Sequence, residues 1–184
     1  MNLDPLSLKI RSAFSLAGQA RTPHPKQAAV LVILFPREGL AQVLMILRAL
    51  HLNAHAGEVA FPGGVPEAQD ADLLATALRE TEEEIGLRVA QTAVIGCLTP
   101  VATRTGYLVW PYVAALPACP RLEPASEEVS KIFEIPLAPL FRTGELDARF
   151  PTERDMTVYH FHEHRIWGAS ARVLRQIECL NGHA

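Results

Sequence analysis

The stretch from Gly57 to Leu87, GEVAFPGGVPEAQDADLLATALRETEEEIGL, constrains this chain more than any other. It reads as a short apolar strand, Val59 to Phe61, a tight Pro62-Gly63-Gly64 loop, and an acidic helix that Gly86 stops. Glu80, Glu83 and Glu84 fall within one arc of roughly 100° on that helix, because residues three and four apart are neighbours there. Leu74, Leu78, Thr81 and Ile85 form a second stripe suited to packing on a sheet, while Glu82 faces solvent.

A glutamate-rich helix face is most often simply solvated. Three features point elsewhere here. Stacked carboxylates repel unless a cation sits among them. The Gly-Gly turn ahead of the helix lets backbone approach a ligand closely. Gly86 ends the helix just past the glutamates, so the acidic face is short and local. Hard oxygen ligands at this spacing suit Mg²⁺ or Mn²⁺, ions that work beside phosphate oxygens. A metal-dependent phosphoryl site is the better reading.

These residues also resemble a known family. Arg79-Glu80-x-x-Glu83-Glu84-x-Gly86-Leu87 resembles the Nudix box, the signature of hydrolases that cleave nucleoside diphosphates linked to another moiety. The spacing from Gly64 to Arg79 is one residue longer than usual, Asp70 is the nearest counterpart of the box's first Glu, and Thr81 stands where an aliphatic residue is common. His55-Ala56-Gly57-Glu58-Val59-Ala60-Phe61-Pro62-Gly63-Gly64 resembles the motif that precedes the box in coenzyme A diphosphatases. Gly106-Tyr107-x-Val109-x-Pro111 and Ile166-Trp167-Gly168 resemble further segments of that subgroup. Asn53 and Ala54 depart from it, since an Arg and often a second polar or basic residue stand there in its members.

Composition sets the outer bounds. At 184 residues, 49% hydrophobic and 20% charged, the chain is long enough for one globular domain with a sizeable core, expected over 1–184 with 1–22 as a helical extension. A net charge of −3 gives no bias toward nucleic acid or membrane. Cys97, Cys119 and Cys179 are too scattered for a metal or redox pattern and read as reduced thiols. The longest apolar run, Ala28 to Phe35, falls well short of the ~20 residues a bilayer span needs, and no signal pattern opens the sequence. A cytoplasmic enzyme acting on a small molecule is the expectation, with its oligomeric state open.

Along the chain, Asp4 to Ala17 is expected as a helix stopped by Gly18, and Ala28 to Phe35 as a central strand with Gln42 to Leu47 as its neighbour. Thr92 to Leu98 and Tyr107 to Leu116 read as strands, Pro111 placing the latter at an edge or a bulge. Acidic residues at Ser126-Glu127-Glu128-Val129 precede an apolar run to Pro136; a helical turn at Leu137 to Phe141, a strand at Met156 to His162 and a closing helix at Ala169 to Leu180 follow.

Periodicity alone supports mixed α and β in one domain. The resemblance implies more: an α/β fold, the Nudix-type α/β/α sandwich with a mixed β-sheet. It implies Mg²⁺ or Mn²⁺ held by Glu80, Glu83, Glu84 and the carbonyl of Gly64, with Arg79 orienting a glutamate through its two-pronged hydrogen bonding. It implies Arg48, His55, Phe61, Gly63 and Arg104 on the substrate. The general base is either Glu83 or a carboxylate outside the box. The implied reaction cleaves coenzyme A to 3′,5′-ADP and 4′-phosphopantetheine, with thioesters of coenzyme A as further substrates. Another Nudix activity on ADP-ribose, dinucleotides or oxidised nucleotides is the alternative, and a non-catalytic nucleotide-binding module is the more distant one.

Overall fold

The computed structural model describes residues 3–14, 16, 24–149 and 156–182. Its centre is β1 (Gln27–Arg37), the β-branched run the sequence marks out. A two-residue turn, Glu38 and Gly39, both at positive φ, returns the chain as β2 (Leu40–Arg48), with Arg37 facing Leu40. Positive φ at both turn residues matches the strands' right-handed twist, and Gly39 accepts it without strain. Then follow β3 (Val59–Ala60), β4 (Gly63–Gly64), α2 (Leu73–Ile85), β5 (Val94–Cys97), β6 (Val101–Ala102), β7 (Leu108–Ala115) and β8 (Val129–Pro136). The sheet runs β3-β2-β1-β7-β5, with β8 also on β2, β4 on β1 and β6 on β7. Among the described residues only β1 and β7 pair in parallel, so the sheet is mixed.

Side chains alternate across β1 and β2 and build two apolar layers. Leu31, Ile33, Phe35, Leu44 and Ile46 face α2 together with Leu73, Leu74, Ala77 and Ile85. Val32, Leu34, Val43 and Met45 face the other way, onto α1 (Leu3–Ala13), α3 (Leu137–Phe141) and α4 (Gly168–Leu180). Helices therefore cover both faces, and the fold is the expected α/β/α sandwich. Each large aliphatic side chain buried this way contributes about 1.5–3 kcal/mol. A small sheet, β9 (Glu145–Leu146), β10 (Thr157–Phe161) and β11 (His164–Ile166), adjoins the second layer.

Several expectations need correction. Helix α1 ends at Ala13 rather than Ala17, and the proposed stop at Gly18 lies outside the described residues. Residues 92 and 93 belong to a 3₁₀ turn (Gln91–Ala93), not to β5. Strand β7 is interior, paired with β1 on one side and with β5 and β6 on the other, so Pro111 is not at an edge. The ladder on the second side breaks between Cys97, opposite Tyr112, and Val101, opposite Val109. Pro111 sits in that gap, where its carbonyl accepts from the Leu98 N–H at 2.8 Å. A residue's N–H and C=O leave a strand on the same side, so the donor that proline lacks falls where no ladder partner is needed.

Candidate active site

Helix α2 begins and ends where its caps dictate. Asp72 accepts from the Ala75 N–H at 2.8 Å, and Gly86 at φ 67° donates its own N–H to the Glu82 carbonyl. Such a side-chain N-cap contributes about 1 kcal/mol. Thr81 is fully buried, and its hydroxyl donates to the Ala77 carbonyl at 2.7 Å, so its polar atom is satisfied within the helix. The expected apolar stripe faces the sheet: Leu74, Thr81 and Ile85 are buried and Leu78 is half-buried against the same core, with Leu73 and Ala77 widening it.

The Pro62-Gly63-Gly64 loop forms a two-residue strand rather than a free turn, Ala29 pairing with Gly64 and Val30 with Gly63. At φ 151°, Gly63 lies where a Cβ would strike the Ala29 carbonyl and Val30, so only glycine fits. Its N–H donates to Glu84 Oε2 at 3.0 Å. A Cβ on Gly64 would come within 2.5 Å of the Glu80 carboxyl carbon. Both glycines thus bring backbone onto the glutamate face of α2.

The three glutamates share that face in different environments. Glu84 is 6% exposed, Glu80 18% and Glu83 57%. Burial pushes Glu84 up to about 7 against the pull of the Gly63 amide and Arg48, with Glu80 and Glu128 adding repulsion. Burial also raises Glu80, opposed by Arg79. Arg79 spans the other two, with Nη2 3.1 Å from Glu80 Oε1 and Nη1 2.9 Å from Glu83 Oε2. Glu82 points away, as expected, and pairs with Arg88. Among the described residues no group of His, Cys, Asp and Glu stands in a metal-holding arrangement, guanidinium groups lying against these carboxylates.

Two carboxylates play larger parts than the sequence reading gave them. Asp70, there only the nearest counterpart of a box residue, takes a two-pronged bond from Arg79, Nε to Oδ1 and Nη2 to Oδ2, both at 3.0 Å. With Thr76 Oγ1 and the Glu67 N–H also donating to it, its carboxyl is held down at about 2, chiefly by Arg79. Asp70 therefore fixes the guanidinium that orients Glu80 and Glu83. Glu128 lies outside the helix, yet its charge reaches both Glu80 and Glu84. Its loop is pinned from two sides: the Ala125 N–H donates to the Glu84 carbonyl, and the Ala49 N–H to the Glu128 carbonyl. The acidic pair before β8 was the only sequence signal for it.

The expected substrate residues divide. Arg48 joins the site, bridging Glu84 at 3.5 Å and Glu128 at 3.4 Å, with its Nε buried and lacking a hydrogen-bond partner. His55, at φ 56°, contacts Glu58 through Nδ1 at 3.1 Å. Arg104 is exposed on the turn joining β6 to β7. The side chain of Phe61 is 4% exposed and packs in the layer of Val59 and Val32. The amide of Gly63 is taken up by Glu84.

The chain thus sets a glycine pair on the carboxylate face of one helix within an α/β/α sandwich, an architecture that known proteins share. The NUDIX domain family profile matches residues 25–153. An uncharacterized Nudix hydrolase, NudL, of Salmonella dublin is 39% identical over 163 residues, covering 85% of this chain and 83% of the relative. A MutT/nudix family protein from Enterococcus faecalis superposes with a TM-score of 0.58 at 17% identity, over 99% of this chain and 80% of that one. The NUDIX domain of Shewanella oneidensis NrtR, solved with ADP ribose, gives 0.54 at 19% identity over 70% and 82%. The chain belongs to the Nudix family and is a Nudix hydrolase of nucleoside diphosphate derivatives. Nudix hydrolases generally use divalent metals such as Mg²⁺ or Mn²⁺.

Proposed function

We propose that this hydrolase cleaves the diphosphate of coenzyme A, giving 3′,5′-ADP and 4′-phosphopantetheine, and that it works in the cytoplasm as one Nudix domain over 1–184. The observation that carries the reading is the seating of the His55–Gly64 segment: its glycine pair meets Glu80 and Glu84 directly. The end of the segment that resembles the coenzyme A diphosphatase motif thus lies on the carboxylates, while its Val59 and Phe61 pack in the core. Three cysteines without disulfides accord with a reducing compartment.

In chemistry, though not in the spacing the side chains take against Arg48 and Arg79, the donor set suits a hard divalent ion. Glu80, Glu83, Glu84 and the backbone of Gly64 offer only oxygen, and two of the carboxylates are buried with incomplete cationic compensation. Bound there, Mg²⁺ or Mn²⁺ would supply positive charge at the diphosphate oxygens. The protein's own residues do the rest. Asp70 holds Arg79, and Arg79 holds Glu80 and Glu83 in register. Arg48, His55 and Arg104 are the cationic or ionisable side chains assigned to the substrate's phosphates. Water adds to one phosphorus, the bridging P–O bond breaks, and the departing phosphate carries away the electron pair. The attacking water's proton goes to a carboxylate, for which Glu83 on the helix face and Glu128 outside the box are the two candidates put to test.

Two measurements test this. With Mg²⁺ and Mn²⁺, kcat/KM for coenzyme A should exceed that for ADP-ribose, NADH and diadenosine polyphosphates. A tenfold preference for ADP-ribose or a dinucleotide overturns the substrate and leaves the site standing. Of Glu83→Gln and Glu128→Gln, the one removing the base should cost at least about a hundredfold in kcat. Glu82→Gln, on the solvent side and paired with Arg88, should change little. Near-normal turnover in both of the first two variants would exclude both as the base.

A further inference from the structure

A cavity of about 640 Å³ opens beside the carboxylates, lined by Leu47, Arg48, Leu50, His51, Ser130 and His164, with Ala49 and Gly57 completing the wall. It is joined to the site by one side chain. Arg48 lines the cavity and also places Nη1 3.5 Å from Glu84. A diphosphate lying against the glutamates therefore has this cavity one guanidinium away.

The lining has a definite chemistry. Leu47, Ala49 and Leu50 give an aliphatic wall and Ser130, His51 and His164 give polar groups, with no carboxylate among the lining residues, although His164 Nε2 lies 3.3 Å from Glu163 Oε1 behind it. Leu50 is 84% exposed. One exposed leucine is ordinary on a protein surface, but this one stands on a cavity wall, where a ligand would cover it. The wall is also built rather than incidental. Gly57, at φ 70°, donates its N–H to the Arg48 carbonyl at 3.1 Å, and Arg48 donates its own to the Glu58 carbonyl at 3.0 Å. A Cβ on Gly57 would reach within 2.9 Å of Leu50 Cδ2, so glycine there leaves room for the leucine. On the far side Ser130 donates to the Leu47 carbonyl at 3.1 Å, and His164 lies against Phe133 with ring centroids 5.1 Å apart.

We propose that this cavity is the subsite for the uncharged arm of the substrate, an amide-linked aliphatic chain ending in a thiol or its acyl thioester, and that Leu50 sets the preference for the acylated form. The inference rests on the coenzyme A reading and deepens it. The volume lies in the ordinary range for small-molecule sites, and its mixed aliphatic and hydrogen-bonding walls suit a chain of amides and methylenes better than another phosphate. Arg48 marks the boundary between the charged and uncharged parts of the ligand. His51, His164 and Ser130 thereby become specificity residues although none belongs to the box.

The test separates the two readings. S-butyryl pantetheine, which has no diphosphate, is titrated into the full chain while the imidazole signals of His51 and His164 are followed by NMR. In parallel, kcat/KM for coenzyme A, butyryl coenzyme A and ADP-ribose is compared between the parent and Leu50→Glu, a change at an exposed position. Binding should shift both imidazoles. Leu50→Glu should abolish those shifts and lower kcat/KM at least tenfold for butyryl coenzyme A, about threefold for coenzyme A, and not for ADP-ribose. Equal effects on all three substrates, or unmoved histidines, overturn the subsite. A parent that ignores coenzyme A and cleaves ADP-ribose overturns the proposed function instead, and the pantetheine titration still decides whether the cavity takes the arm.

Discussion

Neighbouring residues of the same type do different work at Gly63 and Gly64, and substitution should separate them. A Cβ at Gly63 would meet backbone, the Ala29 carbonyl and Val30 Cα, at a φ of 151° that other residues rarely adopt. Gly63→Ala should therefore cost at least about 2 kcal/mol of stability in urea unfolding, because β4 must leave β1. The atoms nearest a Cβ at Gly64 are the carboxylate end of Glu80, a flexible side chain that can swing aside. Gly64→Ala should leave stability within about 1 kcal/mol while lowering kcat about tenfold or more, since a small misplacement of a reacting group is expensive in rate. Equal losses of stability in the two variants would refute this division. Asp70 and Arg79 show the same economy of role: one carboxylate orients a guanidinium, which in turn orients two glutamates.

At the scale of elements, α2 was legible because its determinants are local. The glutamate spacing and the stop at Gly86 lie within the helix itself. For Pro111 the sequence left an edge or a bulge open, and the choice depends on a break between β5 and β6, a pairing its own neighbours in sequence do not reveal. Glu128 was missed as a site residue for the same reason: contacts through Ala125 and Ala49 bring its loop to α2. The β9–β11 sheet is likewise set from a distance. Asp147, 3% exposed, accepts from Arg149 and from Arg165 on β11, and Arg149 lies 4.5 Å over the Trp167 ring. These guanidinium hydrogen bonds, Arg149 first, hold the Asp147 carboxyl well below the ordinary aspartate range. A depressed folded value means the stabilisation is complete above the unfolded pKa of about 3.9 and is lost as pH falls below it toward the folded value. Thermal unfolding of the parent should thus show Tm falling steeply below about pH 4. Asp147→Asn should have a lower Tm at pH 7 and a shallower fall in acid, and an unchanged acid slope would remove Asp147 from that transition.

For the molecule as a whole, the sandwich brings into one site groups that disfavour its own folding. Glu84 is buried beside Glu80, and Glu128 adds a further negative charge from the loop ahead of β8. Two arginines offset this in part: Arg79 on Glu80 and Glu83, and Arg48 on Glu84 and Glu128. An unfolded chain separates these carboxylates and hydrates them, so an ion that binds the site binds the folded state alone and stabilises it by mass action. At a concentration of Mg²⁺ or Mn²⁺ about a hundredfold above its Kd, that gain is about 2.7 kcal/mol, which for a chain of this size raises Tm by about 5–10 °C. Glu84→Gln separates the two parts of the argument. Without metal it should unfold at a higher temperature than the parent at pH 8, because a neutral amide replaces a buried carboxylate and still accepts from the Gly63 N–H. With metal it should gain little further. Differential scanning calorimetry in EDTA and then in excess Mg²⁺ reads both differences from one pair of proteins. A parent whose Tm ignores the ion, or a Glu84→Gln variant that gains as much from it as the parent, would place divalent binding away from this helix face.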